Sequence, residues 1–228
     1  MLSVIIPVLN PDNRLLLVLE SIRHELGSMV GELLIVSAGM SAELTRECEA
    51  AQATIIDSER GRGKQLRAGG VAATQPWLLF LHADSVLQVG CGSKIGVFMM
   101  DPVNEYGAAC FSLKYATDKA QAKRVARWAN WRTRTFGLPF GDQGLLVQKA
   151  LYDQIGGYAD LALMEDIEIV RRIGRGNITL FDTFIETSAE KYEAGGYWLR
   201  PARNLLCQLL YFCGVPVRHI ARLYGAGS

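Results

Sequence analysis

The stretch Trp77-Leu78-Leu79-Phe80-Leu81-His82-Ala83-Asp84 is an uninterrupted apolar run that ends in an imidazole and a carboxylate. An apolar run of this length is typical of a strand buried on both faces of a parallel sheet. Ligands of such sheets bind beyond the carboxyl ends of the strands. The sequence therefore predicts that Asp84 lies at a binding edge, where a carboxylate can hold a hard divalent cation.

Further strand-like runs alternate with helical stretches through the first half of the chain. Strands are predicted over residues 2–8, 32–36, 54–57 and 77–82, and helices over residues 13–26, 42–51 and 64–73. This βαβαβαβ order predicts an α/β fold, a three-layer sandwich in which helices cover a mostly parallel central sheet. The second half does not continue this alternation: strands are predicted over 108–115 and 145–148, a pair of strands over 178–184, and a long basic helix over 119–135.

The amino-acid composition bears on nucleic-acid binding and on the chemistry of the cysteines, and the first residues bear on location. The 228 residues include 24 Lys and Arg against 23 Asp and Glu, a net charge of +1, so no global field would gather nucleic acid. The five cysteines contain no CxxC pair, which favours reduced, mostly buried thiols over a disulfide framework or a zinc site. The first residues lack the features of a secretory signal, and we expect a cytoplasmic protein.

Four segments occur in an informative order: Ser3-Val4-Ile5-Ile6-Pro7-Val8-Leu9-Asn10, the strand Glu32–Val36, the strand that ends at Asp84, and Met164-Glu165-Asp166. Together they resemble the family 2 glycosyltransferases of the GT-A fold, over most of residues 1–185. Four shorter motifs are similar to one bacterial subgroup of that family: Gly61-Arg62-Gly63-Lys64-Gln65-Leu66, His82-Ala83-Asp84-Ser85, Gly141-Asp142-Gln143-Gly144 and Leu163-Met164-Glu165-Asp166.

The resemblance implies an enzyme that transfers a sugar from a nucleotide-diphosphate donor, with inversion at the anomeric carbon. The acceptor is unidentified, and a lipid-linked acceptor is one candidate. We expect one GT-A domain over residues 1–190, with a nucleotide-binding half over 1–100 and an acceptor half over 101–190. A C-terminal helical segment would follow over residues 191–228.

The same resemblance implies roles for the acidic residues. Asp84 takes the place of the metal-binding acid of the family's DxD motif, with Mn²⁺ or Mg²⁺ bridging the donor phosphates. His82 replaces the first acid of that motif and is assigned to donor binding. Asp166 is the expected catalytic base, with Glu165 beside it, and a positioned base is worth about 10² to 10⁴ in rate.

The remaining candidate residues concern binding. The basic turn Arg60-Gly61-Arg62-Gly63-Lys64 opens a predicted helix, where backbone amides and basic side chains can meet a phosphate or a nucleobase. Pro7, Asn10 and Ser37 are also assigned to the donor nucleotide. Asp142 and Gln143, between two glycines, are predicted to bind sugar hydroxyls of the donor or acceptor.

One departure from the family concerns the nucleobase. The family usually has an acid pair after the second strand, whereas this chain has Ser37-Ala38-Gly39-Met40-Ser41, without a carboxylate. Asp12 is one candidate to replace the missing acid. The departure leaves the identity of the donor open more than the class of reaction.

Simpler roles compete with the functional ones. Asp84 can be a turn or helix-capping acid, and Glu165 and Asp166 are also favoured at a helix N-terminus by the helix dipole alone. His82, the basic turn and the Asp142 turn can each be structural or merely solvated. Glu168 is read as a surface ion-pair partner of Arg171 and Arg172. Two other functions stay open: a catalytically silent nucleotide-binding relative, and a sugar-phosphate nucleotidyltransferase.

The C-terminal segment 197–224 contains an apolar run that is too short to cross a bilayer, with arginines on both sides. Such a helix suits the surface of an anionic membrane, which would place the protein peripherally at the inner face. The alternative is a helix docked on the domain or a homodimer seam. The basic helix near 119–135 is read as a solvated face or a lipid-facing surface, and we expect no nucleic-acid partner.

Overall fold

A mixed sheet of eight strands forms the centre of the computed structural model, which describes residues 1–9, 12–190 and 199–224. The strands of this described part are β1 (Leu2–Val8), β2 (Val30–Ser37), β3 (Thr54–Asp57), β4 (Trp77–Phe80), β5 (Ser85–Leu87), β6 (Ala108–Tyr115), β7 (Leu145–Gln148) and β8 (Ile178–Thr187). Their order across the sheet is β3-β2-β1-β4-β7-β6-β8-β5. The first four strands are parallel, β6 and β8 form a further parallel pair, and β7 and β5 are antiparallel to their neighbours.

Helices cover both faces of the sheet. They are α1 (Arg14–Leu26), α2 (Ala42–Ala50), α3 (Arg62–Ala72), α4 (Cys91–Met100), α5 (Ala120–Phe136), α6 (Lys149–Gln154), α7 (Glu165–Ile173), α8 (Leu199–Phe212) and α9 (Val217–Tyr224). Val4 and Ile6 of β1 pack in one core with α1 and α4, whereas Ile5 packs in the other core with α3, α6 and α7. This alternation along one fully buried strand explains the three-layer arrangement.

The carboxyl ends of the parallel strands meet at one edge. Val8 of β1 lies opposite Ser37 of β2, and Ser37 lies opposite Asp57 of β3. On the other side of β1, the Leu81 amide donates to the Ile5 carbonyl at 3.0 Å, one residue after β4 ends. The carboxyl ends therefore meet at the edge where the sequence predicts ligand binding.

Two glycines bring α3 close to this sheet. A Cβ atom at Gly69 would collide with the side chains of Ile5 and Val36, and one at Gly70 would collide with Tyr152. At the other end of α3, Gln65 Nε2 donates to the Val8 carbonyl at 2.9 Å. These contacts hold the first turn of α3, and hence Arg62, beside the carboxyl ends of the strands.

Several elements differ from the sequence-based expectation. Strand β4 ends at Phe80 rather than at residue 82, because the chain turns and the Ser85 amide donates to the His82 carbonyl at 3.1 Å. The short strand β5 and helix α4 were not predicted, since three residues carry little strand signal and α4 contains two glycines. The predicted pair of strands near 178–184 is one strand that extends to Thr187.

The cysteines and the helices agree with two other expectations. All five thiols are free; Cys48, Cys91, Cys110 and Cys207 are buried and Cys213 is exposed. Among the described residues, no helix has the length and apolar character needed to cross a membrane.

Glu168 pairs with Arg172 as expected, at 2.7 Å from Oε1 to Nε. Arg171 instead lies over the rings of Tyr211 and Phe212, 5.6 and 5.4 Å from their centres.

Candidate active site

A pocket of about 170 Å³ lies at the edge where the parallel strands end. Sequence segments far apart in the chain supply its charged side chains: the first turn of α3, the turn after β4, the loop before β7 and the first turn of α7. The lining residues from these segments that the sequence had singled out are Arg62, His82, Asp84, Asp142, Glu165 and Asp166. The structure thus brings together the residues taken from four separate motifs.

Arg62 links three of these segments. Its Nε atom lies 3.0 Å from Oε1 of Glu165, whose side chain is only 4% exposed. Its Nη2 atom contacts Nε2 of His82. Arg62 was expected to meet a phosphate, but its charge is directed to Glu165.

Close packing at Gly141 supports this arrangement. A Cβ atom there would collide with Nη2 of Arg62 and with Nε2 of His82. The Gly141 amide donates to Oδ2 of Asp166 at 3.0 Å. Only a residue without a side chain lets the backbone approach the arginine, the imidazole and the carboxylate together.

The acids of α7 follow a strained residue. Met164, the N-cap, is a non-glycine residue in the left-handed region, with φ of 67°. Such a conformation costs of order 1–3 kcal/mol and is concentrated at functional sites. Glu165 and Asp166 then occupy the first helical turn, where the helix dipole favours negative charge.

Two carboxyl groups of the pocket resist ionisation. Burial raises the pKa of Glu165 to about 7, with a further contribution from Asp166, while Arg62 opposes the shift. Burial likewise raises the pKa of Asp142 to about 6 despite Arg132 and Arg62. Oδ1 of Asp142 is buried and has no hydrogen-bond partner within the described ranges. Carboxyl groups with strongly raised pKa values are concentrated at functional sites.

Asp84 faces the same pocket from the turn after β4. Its side chain is 16% exposed, and its Oδ1 atom lies 3.9 Å from Nδ1 of His82. No group of three or more Cys, His, Asp or Glu side chains suited to a metal ion occurs in the described part of the chain. A cation at Asp84 would therefore have to take most of its ligands from a bound molecule and water, as Mg²⁺ commonly does at phosphate sites.

Gln143 is not part of the pocket lining. Its side chain is fully buried, and Nε2 donates to the Phe111 carbonyl at 3.1 Å. Oε1 accepts from Thr133 Oγ1 at 2.8 Å, and from Arg132 and the Phe140 amide at 3.3 Å each. These contacts use its hydrogen-bonding groups to hold the glycine-rich loop on β6 and α5, and only its neighbour Asp142 faces the pocket.

The other donor-binding candidates lie outside this lining. Pro7 and Ser37 are buried at the strand ends, where Ser37 Oγ donates to the Gly39 carbonyl at 3.1 Å. Gly61 caps α3 with φ of +144°, Arg60 is exposed, and Lys64 pairs with Glu59. Asn10 lies outside the described residues.

Three further polar residues at or near the site were not predicted from the sequence. Asp57 lies opposite Ser37 in the sheet and places a carboxylate beside the position where the family's acid is absent. Asn204 and Gln208 of α8 line the pocket. The apolar residues around them dominated the pattern, although two amides four residues apart in an apolar helix form a recognisable polar face.

Comparison with solved structures identifies the architecture. The chain is similar to a mycobacterial protein, with a TM-score of 0.59 and 17% identity, covering 95% of this chain and 76% of that chain. It is also similar to glucosyl-3-phosphoglycerate synthase from Mycobacterium tuberculosis in complex with phosphoglyceric acid, with a TM-score of 0.58, 18% identity, and coverage of 95% and 81%. A structure of that synthase with Mn²⁺, uridine-diphosphate-glucose and phosphoglyceric acid gives a TM-score of 0.57, 18% identity, and coverage of 95% and 80%.

No protein-family model matches the sequence, and no curated protein sequence matches it. At identities this low, the structural similarity establishes the fold and not the activity. The α/β architecture with its mixed, mostly parallel sheet matches the GT-A fold of the synthase, which confirms the predicted fold class.

The raised carboxyl pKa values predict how stability depends on pH. The folded state binds protons at Glu165 and Asp142 more tightly than the unfolded state does, so the free energy of unfolding falls as pH rises. For Glu165 the window runs from its ordinary value of 4.5 to about 7. We expect the melting temperature of Glu165→Gln to fall less across this window than that of the native protein.

The matched control is Glu105→Gln, because Glu105 is exposed. Its melting temperature should follow the native pH profile. Identical profiles for all three proteins would show that Glu165 does not carry the pH dependence.

Proposed function

We propose that this chain is a glycosyltransferase that moves a sugar from a nucleotide-diphosphate donor to an acceptor hydroxyl, with inversion at the anomeric carbon. The observation that carries the proposal is the convergence of Asp84 and Asp166 on one pocket of a GT-A fold. Asp84 comes from the strand end where such folds bind ligands, and Asp166 comes from the acceptor half. A fold alone supports many activities, and this pair of carboxylates is what favours glycosyl transfer.

On the donor side, Asp84 is proposed to hold Mn²⁺ or Mg²⁺ together with the donor phosphates. The single carboxylate fits a cation that arrives with a diphosphate better than a preformed cage. When bound, the cation would supply Lewis-acid stabilisation of the departing nucleoside diphosphate. The solved synthase structures contain Mn²⁺ with uridine-diphosphate-glucose, which supports a nucleotide-sugar donor for this chain as well.

The strand ends beyond the pocket are proposed to bind the nucleoside. Ser37 and Asp57 lie side by side there, and Asp57 is exposed. The Asp57 carboxylate can accept a hydrogen bond from a nucleobase N–H or a ribose hydroxyl, the task for which the family uses its acid pair. Arg60, Gly61 and Lys64 follow β3 directly, so the basic turn can contact the donor from the same side.

On the acceptor side, Asp166 is proposed to be the catalytic base. The acceptor oxygen forms a bond to the anomeric carbon while the bond from that carbon to the phosphate oxygen breaks, and the hydroxyl proton passes to Asp166. The Gly141 amide fixes Oδ2 of Asp166, which orients the carboxylate. Glu165 acts through Arg62 as a positioning residue, because its carboxyl group is turned to the guanidinium.

The donor side predicts a thermal shift that depends on the cation and on Asp84. We expect at least one of UDP-, GDP-, dTDP- or CDP-sugars to raise the melting temperature with Mn²⁺, and the rise to disappear without the cation or in Asp84→Ala. Asp182→Ala is the control, since Asp182 is exposed on β8 and forms a surface ion pair with Lys94. Stabilisation that survives in Asp84→Ala would contradict this assignment.

The acceptor side predicts a separation between binding and turnover in Asp166→Asn. The amide keeps the shape of the side chain but cannot take up the proton, so transfer or donor hydrolysis should fall by about 10² to 10⁴. The donor-induced thermal shift should stay as in the native protein. Native turnover in Asp166→Asn would exclude it as the base, and NMR of the product's anomeric configuration tests inversion.

Two other outcomes would favour the alternative functions. A stabilising donor that the native protein never turns over would favour the silent relative. Pyrophosphate release from a nucleoside triphosphate and a sugar phosphate would favour the nucleotidyltransferase.

The C-terminal helices are also proposed to rest on an anionic membrane. One side of α8 packs on the domain through Cys207, which belongs to a buried apolar cluster with Met164, Ile167 and Ile220. Other side chains of α8 and α9 are exposed and apolar, namely Leu205, Leu206, Leu209, Phe212 and Leu223, with Arg203, Arg218 and Arg222 nearby in the sequence. An apolar face flanked by arginines is the arrangement that binds anionic lipid interfaces, and it would present a lipid-linked acceptor to the pocket.

Vesicle flotation tests this surface. The protein should float with phosphatidylcholine vesicles that contain phosphatidylglycerol, and high salt or the double variant Leu206→Ser/Leu209→Ser should reverse the binding. Val97→Ser is the control, because Val97 is equally apolar and 70% exposed on α4. Flotation that ignores lipid charge and salt, or a dimer in solution that covers this face, would contradict the proposal.

A further inference from the structure

Two carboxamides reach the pocket from the C-terminal helix. Asn204 and Gln208 are four residues apart on α8, so they lie on the same face of the helix. Gln208 is 6% exposed, and Oδ1 of Asn204 is buried. Asn204 Oδ1 has no hydrogen-bond partner within residues 1–9, 12–190 and 199–224.

A buried polar group without a partner, on the wall of a pocket, indicates that a ligand binds there. A buried amide that leaves its hydrogen bonds unmade is destabilising, and native proteins keep few such groups. Here the unpartnered oxygen of Asn204 and the buried side chain of Gln208 line one pocket, beside the first turn of α7. A bound molecule that supplies both donors and acceptors would satisfy them.

The position of α8 indicates which substrate these amides meet. Cys207, between them in sequence, packs on Met164 and Ile167, the residues that flank the acid pair of α7. The amides therefore belong to the wall that carries Asp166, whereas the donor side is built from the strand ends and Asp84. This wall is where the acceptor must approach the proposed base.

The charges of the pocket indicate the chemistry of that acceptor. Arg62 is the one cationic side chain of the lining within the described residues, and Glu165 already pairs with it. The other ionisable groups of the lining are the acids Asp84, Asp142 and Asp166, together with His82 and tyrosines. An anionic acceptor would meet carboxylates without a free cation, whereas hydroxyl groups suit carboxamides, which both donate and accept.

We propose that Asn204 and Gln208 bind hydroxyl groups of a neutral, polyhydroxylated acceptor, a carbohydrate or a molecule that ends in one. This rests on the proposed glycosyltransferase function and adds the class of acceptor. The assignment separates this chain from the solved synthase, whose complexes contain the anion phosphoglyceric acid. Tyr115 and Tyr224 line the same pocket and offer aromatic faces to a sugar ring.

Saturation-transfer NMR with native protein tests the acceptor class, with and without UDP and Mg²⁺. The probes are methyl glycosides of glucose, galactose and mannose, against glucose 6-phosphate and phosphoglyceric acid. We expect a neutral glycoside to bind, and to bind better than either anion. Preference for an anion, or no binding of any neutral glycoside, would overturn the proposal.

Asn204→Ala and Gln208→Ala test the residues, with Gln154→Ala as the control because Gln154 is exposed on α6. Each pocket variant should weaken glycoside binding by about tenfold or more, the loss expected for one hydrogen bond in a buried site. The donor-induced thermal shift should stay native, which also confirms that the variants fold. Glycoside affinity unchanged from native would overturn the assignment, and loss of the donor shift instead would assign the amides to the donor sugar.

These outcomes are distinct from failure of the proposed function itself. If no nucleotide sugar stabilises the native protein, glycosyl transfer fails whatever the glycosides do. If a donor binds and is hydrolysed but the amide variants bind glycosides normally, only the acceptor assignment fails.

Discussion

The contact of Arg62 with Glu165 and His82 is the interaction on which the site depends. It joins the first turn of α3, the turn after β4 and the first turn of α7, three segments that share no local sequence. A buried carboxylate is tolerated only with a partner, and loss of one partner leaves a costly uncompensated charge. The guanidinium therefore fixes where α7 begins relative to the sheet, and with it the position of Asp166.

The same contact explains why the adjacent acids Glu165 and Asp166 are assigned different roles. Glu165 is turned to Arg62 and is nearly inaccessible, so it serves the architecture of the pocket. Asp166, one residue later, is held by the Gly141 amide and faces the pocket, which suits a group that must take up a proton. Asp84 reaches the same pocket from a different segment, the turn after β4. Two adjacent acids thus differ in role because their surroundings differ.

The sequence predicted the sheet well where burial alone decides the pattern. Strands β1 and β3 begin and end where the apolar runs do, and Asp84 lies at the edge that parallel strands create. Local pattern could not show that Gln143 turns inward to Thr133 and Phe111, since its partners are distant in sequence. Local sequence likewise could not show that Arg62 pairs with Glu165, because Glu165 lies about a hundred residues away. Arg62 was therefore predicted to bind a phosphate. Asn204 and Gln208 lie in the apolar helix α8, and only the tertiary structure shows that their side of this helix lines the pocket.

In the proposed function, the Asp84 carboxylate at the strand end holds the donor's cation, while the Asp166 carboxylate on α7 faces the reacting carbon. A crystal structure of the native protein soaked with Mn²⁺ and a stabilising nucleotide sugar measures this directly. We expect manganese density within coordination distance of Asp84, the diphosphate on that ion, and the sugar between the ion and Asp166. Manganese bound elsewhere, or a nucleotide whose sugar points away from Asp166, would contradict it.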